Sequence, residues 1–180
     1  MRRAFLIFSL FIAAFTLQGN AQSDWKATLA EQLPLMGHRN WILIADSAYP
    51  LQTSPGIETI ETNSDQIEVV RYVLDQINSS IHVRPEIFMD AELPYVPDQD
   101  APGASAYRKQ IAAVLNGYAV TSRLHDKLIA EMAQSSQNFH VLVLKTNLAV
   151  PYTSVFIRLN CKYWPTDAEM RMRAQMPSTK

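Results

Sequence analysis

The sequence predicts an α/β protein, a single three-layer α/β/α domain built on a central sheet. Three observations carry this. Short runs of the fully buried type recur, at residues 41–45, 139–144 and 154–159. They alternate with segments whose apolar residues fall at helical spacing, such as Ile67, Val70, Val73, Leu74 and Ile77. The stretch after the N-terminus, about 160 residues, has no internal repeat and no break in composition, which suits one domain with its own core.

Taken in order, Met1-Arg2-Arg3, an apolar run to Leu17 and the small residues before Gln22 have the form of a signal peptide over residues 1–21. The mature chain is then expected to be exported, periplasmic or secreted. No later run approaches the ~20 apolar residues that a bilayer span needs, so no membrane attachment is expected once the signal is removed. A domain over 22–163 and a C-terminal tail over 164–180 complete the division.

Ser23 and Asp24 are candidate caps for a first helix carrying Trp25, Leu29, Leu33 and Met36, with Pro34 set to end it a turn early. Gly37 is the residue expected to close it in the left-handed conformation. The apolar strand 41–45 follows, then a Pro- and Ser-rich loop over 47–56 and a half-buried strand over 57–62. Asn63, Ser64 and Asp65 announce the second helix. Residues 81–89 are strand-like, with Pro85 favouring an edge or a bulge, and residues 90–104 read as a long surface loop. A helix over 107–115 stops at Asn116-Gly117, residues 118–121 make a short strand, and Ser122 caps a helix with Leu124, Leu128, Ile129 and Met132 turned inward. Two strands, 139–144 and 154–159, close the domain, and the charged, Met-rich tail is either a short helix or disordered.

Composition excludes several function classes. The formal net charge of -1, lower still once Arg2 and Arg3 are removed, offers no basic excess for nucleic acid. Cys161 is the only cysteine, which rules out an internal disulfide framework. The four histidines do not fall at metal-ligand spacing, and His82 and His140 read as sheet residues. No Gly-x-Gly-x-x-Gly, phosphate loop or Gly-x-Ser-x-Gly elbow occurs. No cofactor is therefore expected.

Candidate chemistry gathers in residues 36–50, where Leu-Met-Gly-His precedes an apolar strand and Asp46-Ser47-Ala48-Tyr49-Pro50 follows it. Asp46 stands at the carboxyl end of that strand, the place where open α/β sheets bind small ligands. This order of features resembles the D-ribose pyranase / L-fucose mutarotase family (RbsD/FucU), small cofactor-free enzymes that interconvert ring forms of free sugars. The resemblance spans about residues 26–160 and implies an RbsD-like domain with a central mixed sheet. It implies that His38 is the catalytic acid/base and that Asp46 binds sugar hydroxyls. It extends to residues 141–157, where a strand, a turn and a Tyr-x-Asn pattern are expected. Tyr152 matches, and Ser154 stands in place of the asparagine. His125 corresponds to a third substrate-binding position, and Glu92 is a weaker candidate.

The chemistry so implied is modest. Mutarotation removes a proton from the anomeric hydroxyl and delivers one to the ring oxygen, and general acid–base catalysis contributes ~10²–10⁴-fold. Histidine, titrating near neutrality, suits it. Geometry adds a condition: a five- or six-residue strand spans about 20 Å, which places His38 and Asp46 at opposite ends. A shared monosaccharide site would then be completed across a subunit interface, in keeping with the homo-oligomeric rings, pentamers or decamers, that the resemblance implies. The alternative is a non-catalytic exported sugar-binding or assembly module on the same scaffold.

Overall fold

The computed structural model describes residues 24–177; the signal peptide expected over residues 1–21 lies outside the described residues, as does the end of the tail. Six strands form one sheet: β1 (Trp41–Ala45), β2 (Ile57–Glu61), β3 (Val83–Asp90), β4 (Val120–Arg123), β5 (Val141–Lys145) and β6 (Val155–Cys161). Their spatial order is β2-β5-β1-β6-β3-β4. Every pairing is parallel except the two made by β6, which runs against β1 on one side and β3 on the other. The carboxyl ends of the other five strands therefore share one edge with the amino end of β6. That edge is where the chain can assemble a site from several loops.

β1 is apolar throughout because both of its faces are covered, and all five residues are buried. Ile42 and Ile44 face a core shared with α1 (Trp25–Gln32), α2 (Gln66–Ser79) and α3 (Ala104–Val114). Trp41, Leu43 and Ala45 face a smaller core closed by Leu128 and Met132 of α4 (His125–Ser135). Helices thus lie on both faces of a mixed sheet, the three-layer arrangement expected. No helix among the described residues is long and apolar enough to cross a membrane.

Local chemistry explains most element ends. Asp24 and Asp65 cap α1 and α2 by accepting two backbone N–H bonds each. The first helix stops at Gln32, and Pro34 carries the chain into a single 3₁₀ turn. Gly37 does not take the left-handed conformation; Arg39 does, with φ 76°. The Asn40 side chain instead accepts from the Gly37 N–H at 2.7 Å and so shapes the turn.

Pro85 fits because β4 reaches only Ile87–Asp90, leaving the earlier half of β3 as a local edge. Residues 90–104 are no loose loop: they hold a 3₁₀ turn and bury Leu93, Val96, Ala101 and Ala104. The strand expected at 118–121 lies two residues later, and its four residues are exposed. Ser122 is therefore a strand residue, not a cap. His82 and His140 stand just before β3 and β5, where His82 Nε2 lies 3.0 Å from the Met36 carbonyl and His140 Nε2 lies 3.0 Å from the Gln32 amide oxygen. The tail forms α5 (Thr166–Gln175), which buries none of its residues.

Candidate active site

At the carboxyl edge of the sheet, the chain leaving β1, the loop leaving β5 and the first turn of α4 surround a hollow of about 440 Å³. This is within the size range of small-molecule sites. Asp46, Tyr49, His125 and Tyr152 all line it. Asp46 is the first residue past β1, and its carboxylate accepts the Ala48 N–H at 2.8 Å, a tight turn that fixes the side chain at the mouth. Tyr49, buried below, keeps its proton: burial first, then the Asp46 and Asp90 carboxylates, push its phenol far above the usual range.

Tyr152 occupies the left-handed region at φ 58°, unfavourable for a bulky residue. The conformation persists because the neighbouring Thr153 is anchored. Its carbonyl accepts from the Gln66 amide at 2.5 Å and the Tyr107 hydroxyl at 2.8 Å, and its own hydroxyl donates to the Val150 carbonyl at 2.8 Å. Gln66 is fully buried at the start of α2, and its amide oxygen accepts from the Thr146 hydroxyl at 3.0 Å. One glutamine thus pins both ends of the loop that presents Tyr152. Gln66→Leu is expected to destabilise the fold by about 2 kcal/mol, measured by urea denaturation, and to weaken binding in the hollow. Unchanged stability would show that the loop holds itself.

His125 opens α4 with its ring against Tyr152, centroids 5.6 Å apart and nearly perpendicular. No side chain of the helix caps this terminus; Glu92 does so from the turn that follows β3, both carboxylate oxygens lying 3.1 Å from the His125 backbone nitrogen. Glu92 is thereby used as a cap and does not line the hollow. The imidazole Nδ1 lies 3.0 Å from Oδ1 of Asp90, the last residue of β3, whose side chain is fully buried. Burial pushes the Asp90 carboxyl up, against the pull of His125; the same hydrogen bond pushes His125 up, against its partial burial. No residue among those described bonds to the other ring nitrogen, Nε2.

Ser154 is buried, its hydroxyl without a partner, and it does not line the hollow. His38 is exposed and lies past the other end of β1. There it borders a separate hollow of about 260 Å³ with Arg39, Glu86, Arg158, Leu159 and Asn160. Burial opposes ionisation of Glu86, yet hydrogen bonds from Asn160 and Arg158 hold it below the ordinary glutamate range. Of the five residues singled out from sequence, then, the fold brings together Asp46, His125 and Tyr152, buries Ser154 behind them, and leaves His38 at the opposite edge. Asp90 and Gln66 escaped the sequence reading. Asp90 could have been found by the rule that found Asp46, since both end a strand at the same edge. Nothing in the sequence marks Gln66.

The chain has known relatives in structure. RbsD of Bacillus subtilis complexed with D-ribose superimposes with a TM-score of 0.56 at 13% identity, covering 76% of this chain and 94% of that one. FucU of Bifidobacterium longum gives 0.51 at 13% identity, covering 76% and 96%. The fucose mutarotase of Streptococcus pneumoniae in complex with L-fucose gives 0.49 at 18% identity, covering 74% and 91%. No curated protein matches. The family model described as the RbsD / FucU transport protein family matches residues 25–161, nearly the whole described domain. With that match and the mixed six-stranded sheet, the chain belongs to the RbsD / FucU family.

Proposed function

We propose that this protein is an exported isomerase that interconverts ring or anomeric forms of a free monosaccharide by acid–base catalysis. One observation carries the reading: the hollow at the carboxyl edge gathers a carboxylate, an imidazole and a tyrosine around a space that suits a small polar ligand. Asp46 accepts hydrogen bonds from sugar hydroxyls. Tyr152 supplies a hydroxyl and a ring face that stacks on the less polar side of a sugar. His125 exchanges protons near neutrality. The bound D-ribose of the Bacillus subtilis relative supports a monosaccharide as the ligand. The basic, then apolar N-terminus supports export.

Two proton transfers are needed, and in this reading His38 of an adjacent subunit supplies the second group. Within one chain the five residues of β1 alone span about 16 Å, so a single protomer cannot bring its own His38 to the hollow. A ring of identical subunits, each placing its His38 edge against the Asp46 edge of the next, would do so.

The test is magnetisation transfer between the anomers and ring forms of D-ribose, L-fucose and D-galactose with the mature chain added. Exchange above the uncatalysed rate for at least one sugar is expected. Binding without faster exchange would replace the isomerase by a sugar-binding module, and absence of both would remove the sugar altogether.

A further inference from the structure

The most unusual group near the hollow is one that does not line it. Asp90 has a side chain with no exposed surface, yet only one of its oxygens is engaged, Oδ1 with His125. Oδ2 is buried with no hydrogen-bond partner. A carboxylate left half-satisfied in a core is costly and calls for a reason. The β3–β6 ladder runs to Met89 opposite Val155, so the next pair in register is Asp90 and Ser154. Alternation along β6 puts Ser154 on the same face as Phe156, the α4 side of the sheet, and alternation along β3 does the same for Asp90 and Phe88. Ser154 Oγ is likewise buried and unpartnered. Two orphaned polar groups, a donor and an acceptor, thus occupy neighbouring register positions on one face of adjacent strands, and the acceptor belongs to the carboxylate that holds His125.

We infer that Asp90 is a positioning residue that makes His125 an acid/base group of the hollow, and that the Ser154 hydroxyl serves as the second anchor of Asp90 rather than as a contact to the ligand. With Oδ1 accepting from Nδ1–H, the neutral imidazole is fixed in the tautomer whose Nε2 carries a lone pair toward the hollow. Nε2 takes a proton from a ligand hydroxyl while His38 of the adjacent subunit delivers one to a ligand oxygen, and the imidazolium formed on His125 is balanced by the Asp90 charge until the two protons return in the reverse step. A turn of the Ser154 side chain lets its hydroxyl donate to Oδ2, holding the carboxylate against rotation while the charge on the ring changes. Phe156, whose ring centroid is 6.3 Å from that of His125, and Tyr152 limit the imidazole to this orientation.

The other charged groups that face His125 are Glu92 and Asp46, which act in the same sense as Asp90. Lys127, on the same helix, is exposed and paired with Asp126. The inference rests on the isomerase reading for its ligand, but not for its readout.

The experiment is imidazole ¹⁵N NMR on the full mature chain, with His125 assigned by loss of its signals in His125→Gln. The native protein is expected to show His125 as the Nδ1–H tautomer when neutral, with a midpoint above that of an ordinary histidine. Asp90→Asn keeps shape while removing the charge; it should mix the tautomers and lower the midpoint. If sugar exchange is present, the acid limb of its pH profile should move to lower pH in step, and the maximal rate should fall at least about tenfold. Ser154→Ala should mix the tautomers without that full shift. An Nε2–H tautomer in the native protein, or a tautomer and midpoint unmoved by Asp90→Asn in a chain that stays folded by circular dichroism, overturns the inference. Native tautomer and midpoint as expected, with no sugar exchanged at all, would uphold Asp90 while defeating the isomerase reading.

Discussion

His38→Gln is expected to slow sugar exchange by about 10²–10⁴-fold while leaving the fold intact. The side chain is exposed in a turn and supports no core, so little stability depends on it. The sharper experiment uses the distance that β1 imposes. His38→Gln removes the proposed acid/base residue from one edge of a subunit, and Asp46→Asn removes the proposed sugar-binding carboxylate from the other. Each variant alone is expected to be nearly inactive. If the two are unfolded together and reassembled in equal amounts, a ring in which each site takes one edge from each neighbour has both residues intact at about a quarter of its interfaces. Recovery toward a quarter of native activity, with particles larger than one chain by sedimentation, is the outcome that shared sites require. A mixture as inactive as its parts, or a native protein that sediments as single chains, removes His38 from the mechanism. The hollow with Asp46, His125 and Tyr152 would remain as the candidate.

Gly56→Ala is the substitution expected to cost most in stability, about 4 kcal/mol or more. Backbone conformation is not the cause, because Gly56 has an ordinary φ. Contact is: a Cβ at this position would lie 1.9 Å from the Ser136 carbonyl oxygen and 3.0 Å from that of Phe139. These are backbone atoms at the end of α4, held by the Ser136 N–H to Met132 and by the Ser136 hydroxyl to Ala133, so they cannot swing aside. Gly56 must also keep its carbonyl within 2.8 Å of the Val141 N–H, which seats the start of β5. Something larger than a hydrogen therefore forces α4 from the sheet, and α4 carries His125. Denaturation midpoints of Gly56→Ala and of the milder Ser54→Ala, which breaks only a hydroxyl contact to Ser136, separate the two effects. A loss below about 1 kcal/mol for Gly56→Ala would mean that the end of α4 yields easily.

The buried strands and α2 could be read directly from the sequence because their signals are strong and local. The run from Trp41 to Ala45 is apolar because two layers cover it, and Asp65 with the spacing from Val70 to Ile77 describes a capped, one-sided helix. Signals failed where partners are distant. Gly37 was the obvious helix stop, yet Pro34 had already ended the helix and Asn40 governed the turn. Ser122 has the chemistry of a cap, but pairing with Met89 drew it into β4, and the cap came from Glu92, some thirty residues earlier. The site divides in the same way. Asp46 follows from its place after a strand, and Asp90, at the end of β3 on the same edge, was within reach of the same rule, whereas its bond to His125 depends on the distant packing of α4. The burial of Ser154 could not be foreseen, since it depends on which strands flank β6.

Placing β6 between β1 and β3 also governs when the molecule can form. Both neighbours of β1 lie about a hundred residues further along the chain, and β3 likewise meets β6 more than sixty residues later. Until the ribosome has passed Lys145, β1 and β2 have no partner, and until it has passed Cys161 the β2-β5-β1 and β3-β4 parts of the sheet have no strand to join them. Such long-range closure slows folding to the millisecond-to-second range. It makes the arrival of β6, rather than any earlier moment in synthesis, the event that joins the two parts of the sheet.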